Sequence, residues 1–212
     1  MLCKREVEMT PVTAVFSDVG GVILSNGWDR AARREAAVKF HLDWEDFEDR
    51  HELMLNAFEI GEASLDAYLD RVVFYRDRSF TKKDFADFIY AQSQPIPETL
   101  EVLRRLAATG NYLLGSLNNE SRDLNEYRIR RFNLRKYFDV FLSSCYLGVR
   151  KPDAAIYHLA LSITQRVAEE CVFIDDRGLN LECAREMGMR TIHFRHATQM
   201  EEELRKYGVE FA

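Results

Sequence analysis

Five short apolar runs constrain this chain more than any other feature: Val12–Ser17, Tyr112–Leu117, Phe138–Ser143, Cys171–Ile174 and Thr191–Phe194. Each is nearly continuous in apolar character and is followed by polar or glycine residues. Strands covered on both faces read this way, as in a parallel sheet. The segments between most of them have helical spacing. Pro97–Thr109 puts Leu100, Leu103, Leu106 and Ala107 on one face and stops at Gly110. Ala155, Ile156, Leu159, Ala160 and Ile163 follow Pro152, a residue suited to a first helical turn. Leu181, Cys183 and Ala184 precede Gly188, a further stop signal. This alternation predicts an α/β fold, a Rossmann-like doubly wound parallel sheet.

The alternation breaks once. Between Ser17 and Tyr112 lie 94 residues with no strand-like run except the short continuation Val22–Leu24. Their pattern is helical four times: Ala31–Phe40; Trp44 through Phe58; Leu65 through Val73 after Ser64; and Phe85 through Ile89 after Thr81. Ser64 and Thr81 are N-cap candidates. A crossover needs one helix, so the surplus predicts an inserted helical lobe over residues 25–95, with the core made from 10–24 and 96–212. Ligands of such sheets bind at the C-terminal strand ends. A lobe leaving the first strand there would cover the site as a lid.

Composition narrows the function classes. Hydrophobic residues make up 47% of 212, enough for a packed core, which excludes a disordered chain. A net charge of −6 argues against an electrostatic nucleic-acid binder. No apolar run approaches the roughly 20 residues that span a bilayer, and Met1–Phe16 lacks the apolar stretch of a signal peptide. Cys3, Cys145, Cys171 and Cys183 are widely spaced with no CxxC pair, so free thiols and a cytoplasmic location are expected. The five histidines form no metal-ligand spacing. The basic run Arg128–Arg131 and the acidic run Glu201–Glu203 read as solvated helix faces.

The carboxylates carry the chemistry. Asp18 ends the first run, just before Val19-Gly20-Gly21, and Asp175 and Asp176 end the fourth. In a parallel sheet all three meet at one edge, where their repulsion would force protons onto two of them unless a cation intervened. Mg²⁺, a hard oxygen-ligated ion, suits that set. Lys151 follows the third run and would bring a positive charge to the same edge, and Asn118 follows the second with an amide to donate. Singly these signals are weak: an Asp after a strand is more often a turn former, and Asp175-Asp176 could cap the next helix. Their chain order at successive strand ends makes the combination informative, and it suits an anionic group.

These residues resemble the haloacid dehalogenase-like hydrolase superfamily. The likeness rests on Ala14–Leu24 (AVFSDVGGVIL), Tyr112–Asn119 (YLLGSLNN), Gly148–Pro152 (GVRKP) and Val172–Gly188 (VFIDDRGLNLECAREMG), in the family's order. It implies a divalent metal, an aspartyl-enzyme intermediate and a helical cap where the extra helices fall. Asp18 looks like the nucleophile. Asp18 and Asp176 resemble the direct Mg²⁺ ligands, with Asp175 in support, the Gly20 carbonyl available to the metal, and Asn180 nearby. Lys151 would neutralise charge on the nucleophile and the phosphoryl group. Asn118 and Asn119 would bind an oxygen of the substrate.

Two positions depart from the family. Gly20 stands where its phosphatases carry the Asp that protonates the leaving oxygen, work worth about 10²–10⁴-fold. Leu117 replaces the usual Ser or Thr before Asn118, with Ser116 one residue early. The expectation is a Mg²⁺-dependent phosphatase of a small phosphorylated metabolite with an easily expelled group: an anomeric sugar phosphate, an aryl phosphate or an acyl phosphate. Two alternatives stay open, a hydrolase using Asp18 on carbon and an impaired module that binds a phospho-ligand or a protein. Trp28 and Asp29 are candidate specificity elements, Asp29 also a candidate replacement acid. A homodimer through the cap is a further expectation.

Overall fold

The computed structural model describes residues 10–212; Cys3 and most of the Met1–Phe16 segment lie outside the described residues. Five strands form the sheet: β1 (Ala14–Ser17), β2 (Leu113–Asn118), β3 (Val140–Ser143), β4 (Cys171–Asp175) and β5 (Arg190–His193). All pairings are parallel, in the order β3-β2-β1-β4-β5. The chain therefore winds outward from β1 on one side and from β4 on the other, so the order reverses between these two neighbours. That is where ligands of such sheets lodge.

Both faces of the sheet are covered, which explains why the strands lack polar alternation. On one face Val15, Leu114, Val172 and Ile174 pack with Val102, Leu103 and Leu106 of α5 (Pro97–Thr109) and with Met200 and Leu204 of α10 (Ala197–Lys206). On the other, Ala14, Phe16, Leu117 and Phe173 pack with Ile156, Tyr157 and Ala160 of α8 (Ala154–Thr164) and with Leu181 and Ala184 of α9 (Gly178–Glu186). α8 begins after Pro152, not at it: Asp153 is the N-cap and accepts from the Ala155 N–H. Glu201, expected to be merely solvated, joins α10 to α5 through a bidentate pair with Arg105 at 2.6 and 2.9 Å.

Between β1 and β2 lie α1 (Arg30–Lys39), α2 (Trp44–Glu59), α3 (Leu65–Val72) and α4 (Lys82–Ala91). Ser64 caps α3, and Thr81 caps α4 in a reciprocal box with Asp84. Val22–Leu24 is a turn rather than a strand; only Leu24 makes isolated bridges, to Gly20 and Pro95. The four helices close around Ala36, Phe47, Phe58, Tyr68, Leu69, Phe85 and Ile89. Each fully buried Phe there is worth about 1.5–3 kcal/mol, so this second core stabilises its own helices. Leu124 of α6 (Arg122–Arg131), which follows β2, is buried in the same cluster and docks the helices onto the sheet.

The chain enters and leaves this insertion side by side. Ser25 N–H donates to Gln94 O at 2.8 Å, and Ile96 N–H to Ile23 O at 3.0 Å. The insertion also reaches α7 (Ser144–Leu147), where Ser144 Oγ donates to Glu59 O at 2.6 Å. Among the described residues, no helix is long and apolar enough to cross a membrane. Cys145, Cys171 and Cys183 are free thiols.

Candidate active site

Asp18, Asp175 and Asp176 converge at the reversal point, each offering an oxygen within 4.8 Å of the others. The ladder places them: Asp18 N–H extends β1 by donating to Ile174 O at 2.8 Å, which aligns Asp18 with the end of β4. Lys151 is 2% exposed, and its Nζ lies 2.6 Å from Asp175 Oδ2 and 3.1 Å from Asp18 Oδ2. Asp175 is saturated further, accepting from Asn180 Nδ2 at 3.1 and 3.0 Å and from the Arg177 N–H at 2.8 Å. It is not the N-cap of α9, a place held by Arg177.

Asp176 differs from its neighbour. Its Oδ1 is buried with no hydrogen-bond partner. Its other oxygen packs so tightly against the turn after β1 that any Cβ at Gly21 would collide with it, and Gly21 takes φ +75°, which a side chain would strain. Burial raises the Asp18 carboxyl to about 7 against the pull of Lys151, with Asp175 and Asp176 adding to the rise. Burial and then Asp175 raise Asp176 as well. For Lys151, burial works against the charge, but Asp18 and Asp175 outweigh it and hold the ammonium above its usual range. Three crowded carboxyls with one orphaned oxygen fit a divalent cation: Asp18 and Asp176 have the oxygens to ligate it directly, while Asp175 is committed to Lys151 and Asn180.

The second strand is corrected. Asn118 is 1% exposed and is not among the residues that line the cleft. Its Nδ2 donates to Asn125 Oδ1 at 3.2 Å, and its Oδ1 accepts from Ser143 Oγ at 3.0 Å and Ser116 Oγ at 3.3 Å. Side chains alternate along a strand, so Leu117, not Asn118, shares the face of Phe16 and Phe173. Asn119 lines the cleft, but its amide is clamped on the backbone of Lys151, accepting from the Lys151 N–H and donating to its carbonyl, both at 2.8 Å. Asn118 is thus part of the packing behind β2, and Asn119 positions the lysine.

The cleft above holds about 410 Å³. One wall comes from the insertion. Arg33 is held by Glu48 at 2.8 and 3.0 Å and donates to Trp28 O. Trp28 Nε1 donates to Tyr68 Oη at 2.9 Å, and Tyr68 Oη lies 2.8 Å from His51 Nδ1. Burial, then Arg33, push His51 down to about 4. Asp29, a candidate acid, spends Oδ1 on capping α1 at Ala32 N–H, 2.9 Å away.

The other wall mixes charges that the sequence did not reveal. Glu59, at the end of α2, pairs with Arg150 at 3.0 Å. Burial raises its pKa against that arginine. Glu120 follows Asn119 directly and pairs with Arg128 at 3.0 Å. Burial lifts it to about 7 against Arg128, with Glu59 adding to the rise. Arg128 is 2% exposed, unlike Arg130 and Arg131, so the basic run is not uniformly solvated. A buried arginine leaves no periodic trace when its partners come from three other segments. Glu120 was the findable one, as a charge at the end of an apolar strand in line with Asp18 and Asp175.

The chain is similar to known proteins in sequence and in fold. Bifunctional epoxide hydrolase 2 of Sus scrofa is 41% identical over 73 residues, which is 34% of this chain and 13% of that protein. The chain therefore corresponds to a small part of that relative's length. A phosphorylated carbohydrates phosphatase of Thermotoga maritima is 28% identical over 141 residues, 66% of this chain and 60% of that protein. In structure, a HAD family enzyme of Bacteroides thetaiotaomicron, solved with magnesium and inorganic phosphate, superposes with a TM-score of 0.74 at 18% identity, over 87% of this chain and 94% of the other. The profile of the haloacid dehalogenase-like hydrolase family matches residues 12–188, and with the β1-to-β4 acid cluster in place the chain belongs to that family of hydrolases.

Proposed function

We propose that this hydrolase is a Mg²⁺-dependent phosphatase of a small phosphorylated metabolite with a good leaving group, working through an aspartyl-phosphate on Asp18. One observation carries the reading: a buried lysine bridges Asp18 and Asp175 beside an Asp176 oxygen that has no partner. Bound there through Asp18, Asp176 and the Gly20 carbonyl, Mg²⁺ would neutralise charge on a phosphoryl group and on the attacking carboxylate. Lys151 holds Asp18 in place and supplies a fixed positive charge beside it. Asp175, through Asn180 and the Arg177 N–H, keeps Lys151 aimed. Residues 25–95 act as the cap that closes the cleft over small substrates.

Gly20 favours a substrate whose leaving group needs no proton, and it equally suits displacement on carbon by Asp18 as a second reading. A phosphoester panel with Mg²⁺, wild type against Asp18→Asn, tests the first. Turnover of p-nitrophenyl phosphate well above alkyl phosphates is expected, and its loss in the variant. Equal rates on both ester classes would contradict the leaving-group reading. Hydrolysis that survives EDTA would favour carbon chemistry, and no turnover in either protein would favour a binding module.

A further inference from the structure

The position two residues beyond Asp18 has no side chain, yet the space beside it is filled. A Cβ at Gly20 would lie 3.4 Å from Asn26 Oδ1 and 3.5 Å from Arg128 Nη1. Gly27, at φ +70°, leaves room for the same guanidinium; a Cβ there would collide with Nη2. Two glycines thus admit one arginine that arrives from α6, more than a hundred positions along the chain from either.

The guanidinium is held on three sides. Nε donates to Ser93 Oγ at 3.1 Å, Nη2 to Ser25 O at 3.1 Å, and Nη1 faces Glu120 Oε2 at 3.0 Å. A guanidinium has five N–H groups, so one on each terminal nitrogen is left over. Glu120 is itself fixed, its Oε1 accepting from the Ser121 N–H at 3.0 Å. Both Gly20 and Arg128 line the cleft together with Asp18 and Lys151.

We infer that Arg128 is a catalytic residue that takes the place of the missing acid, receiving the leaving-group oxygen on its spare Nη1 N–H as an anion rather than protonating it. The inference rests on the phosphatase reading above and narrows its substrates to those that expel a stable oxyanion, such as acyl phosphates and acidic aryl phosphates. An Asp18 oxygen forms a bond to phosphorus. The bond from phosphorus to the leaving oxygen breaks, and its electron pair departs with that oxygen, against Arg128. No proton moves in this step. Water then attacks phosphorus, the bond to Asp18 breaks with its pair returning to the carboxylate, and the water proton passes to a phosphoryl oxygen. An arginine does not serve as proton donor, because its guanidinium stays charged across the working pH range.

Arg128 also ties together the two segments that enter and leave the insertion, so the test must separate chemistry from scaffolding. The kcat/KM values of the full chain with Mg²⁺ are measured for a graded series from dinitrophenyl to phenyl phosphate, in wild type, Arg128→Lys and Arg128→Met. The expected loss in Arg128→Met grows as the phenol becomes less acidic, reaching about 10²-fold for phenyl phosphate, with Lys intermediate and added guanidinium restoring part of it. A loss equal across the series would make Arg128 a scaffold only and overturn the inference. Should the Met variant not fold, Arg128→Lys against wild type decides: a loss that grows as the phenol becomes less acidic supports it, and a loss equal across the series contradicts it. No turnover of any ester by wild type would overturn the phosphatase reading itself, whereas turnover with a uniform loss overturns only the role of Arg128.

Discussion

The floor of the cleft takes Asp18, Asp175 and Asp176 from the ends of two neighbouring strands, whereas its walls take Arg33, His51 and Glu59 from the insertion and Glu120 and Arg128 from the segment after β2. On the floor, the backbone ladder sets where each carboxylate stands, because Asp18 N–H pairs with Ile174 O. On the walls, position depends on side-chain packing between elements far apart in the chain. The sheet itself therefore places the floor, and contacts between distant elements place the walls. Substitutions in the two regions should differ in kind as well as in size.

On the floor the largest effect is expected from Asp18→Asn, which should lower kcat on p-nitrophenyl phosphate by roughly 10⁴-fold or more, as loss of a nucleophile does. Circular dichroism and the melting temperature should show the fold intact; a residual rate near wild type would place the chemistry elsewhere. Removing divalent cations with EDTA should cost on the order of 10³-fold, several kcal/mol of charge stabilisation, and Mg²⁺ should restore it. A rate indifferent to chelation would separate the acid cluster from the reaction.

The two asparagines after β2 sharpen the contrast. Asn119→Ala frees the backbone of Lys151 and should reduce kcat/KM by about 10–100-fold, the range found when groups that hold a site's own residues are removed. Asn118→Ala should instead lower stability by roughly 1–3 kcal/mol, because it removes a buried acceptor from Ser116 and Ser143 and a donor from Asn125, leaving Ser143 and Asn125 only each other. The reverse pattern, with activity lost on Asn118→Ala alone, would return Asn118 to the substrate.

The smallest effect belongs to the wall and is seen only as stability. His51 titrates at 6.5 in the unfolded chain and near 4 when folded, so below 6.5 the unfolded chain binds the extra proton. The stability it contributes is present above pH 6.5 and is lost as pH falls towards 4, by on the order of 2–3 kcal/mol. Arg33, Glu48 and Arg150 are the charges that act on this ring. Glu120, raised to about 7, has the opposite sign, losing stability as pH rises. The measurement is therefore a difference, wild type against His51→Gln, in which Glu120 cancels. Parallel pH profiles for the two would contradict a buried neutral histidine.

Most of the fold was legible because each strand is a short apolar run and each helix of the insertion carries its own cap or periodic face. Ser64 and Thr81 cap as their sequence suggests. The acid cluster was legible for the same reason, since strand ends in a parallel sheet share an edge. Asn118 was misplaced because the alternation along β2 decides which way it points, and the end of an apolar run does not reveal that parity. Arg128 was misread because its neighbours Arg130 and Arg131 are solvated, and its burial depends on Gly20, Gly27, Ser25 and Ser93. Charges that form a wall by meeting across elements leave no spacing to read.

If Asp18 is the nucleophile, it becomes covalently phosphorylated while Lys151 and a divalent ion hold the phosphoryl group. Rapid acid quenching of the Mg²⁺-loaded protein during turnover of p-nitrophenyl phosphate, followed by peptide mass mapping, addresses it directly. A phosphoryl group is expected on the peptide containing Asp18, absent from Asp18→Asn. Continued turnover with an unmodified Asp18 peptide, or a phosphoryl group on another side chain, would contradict it.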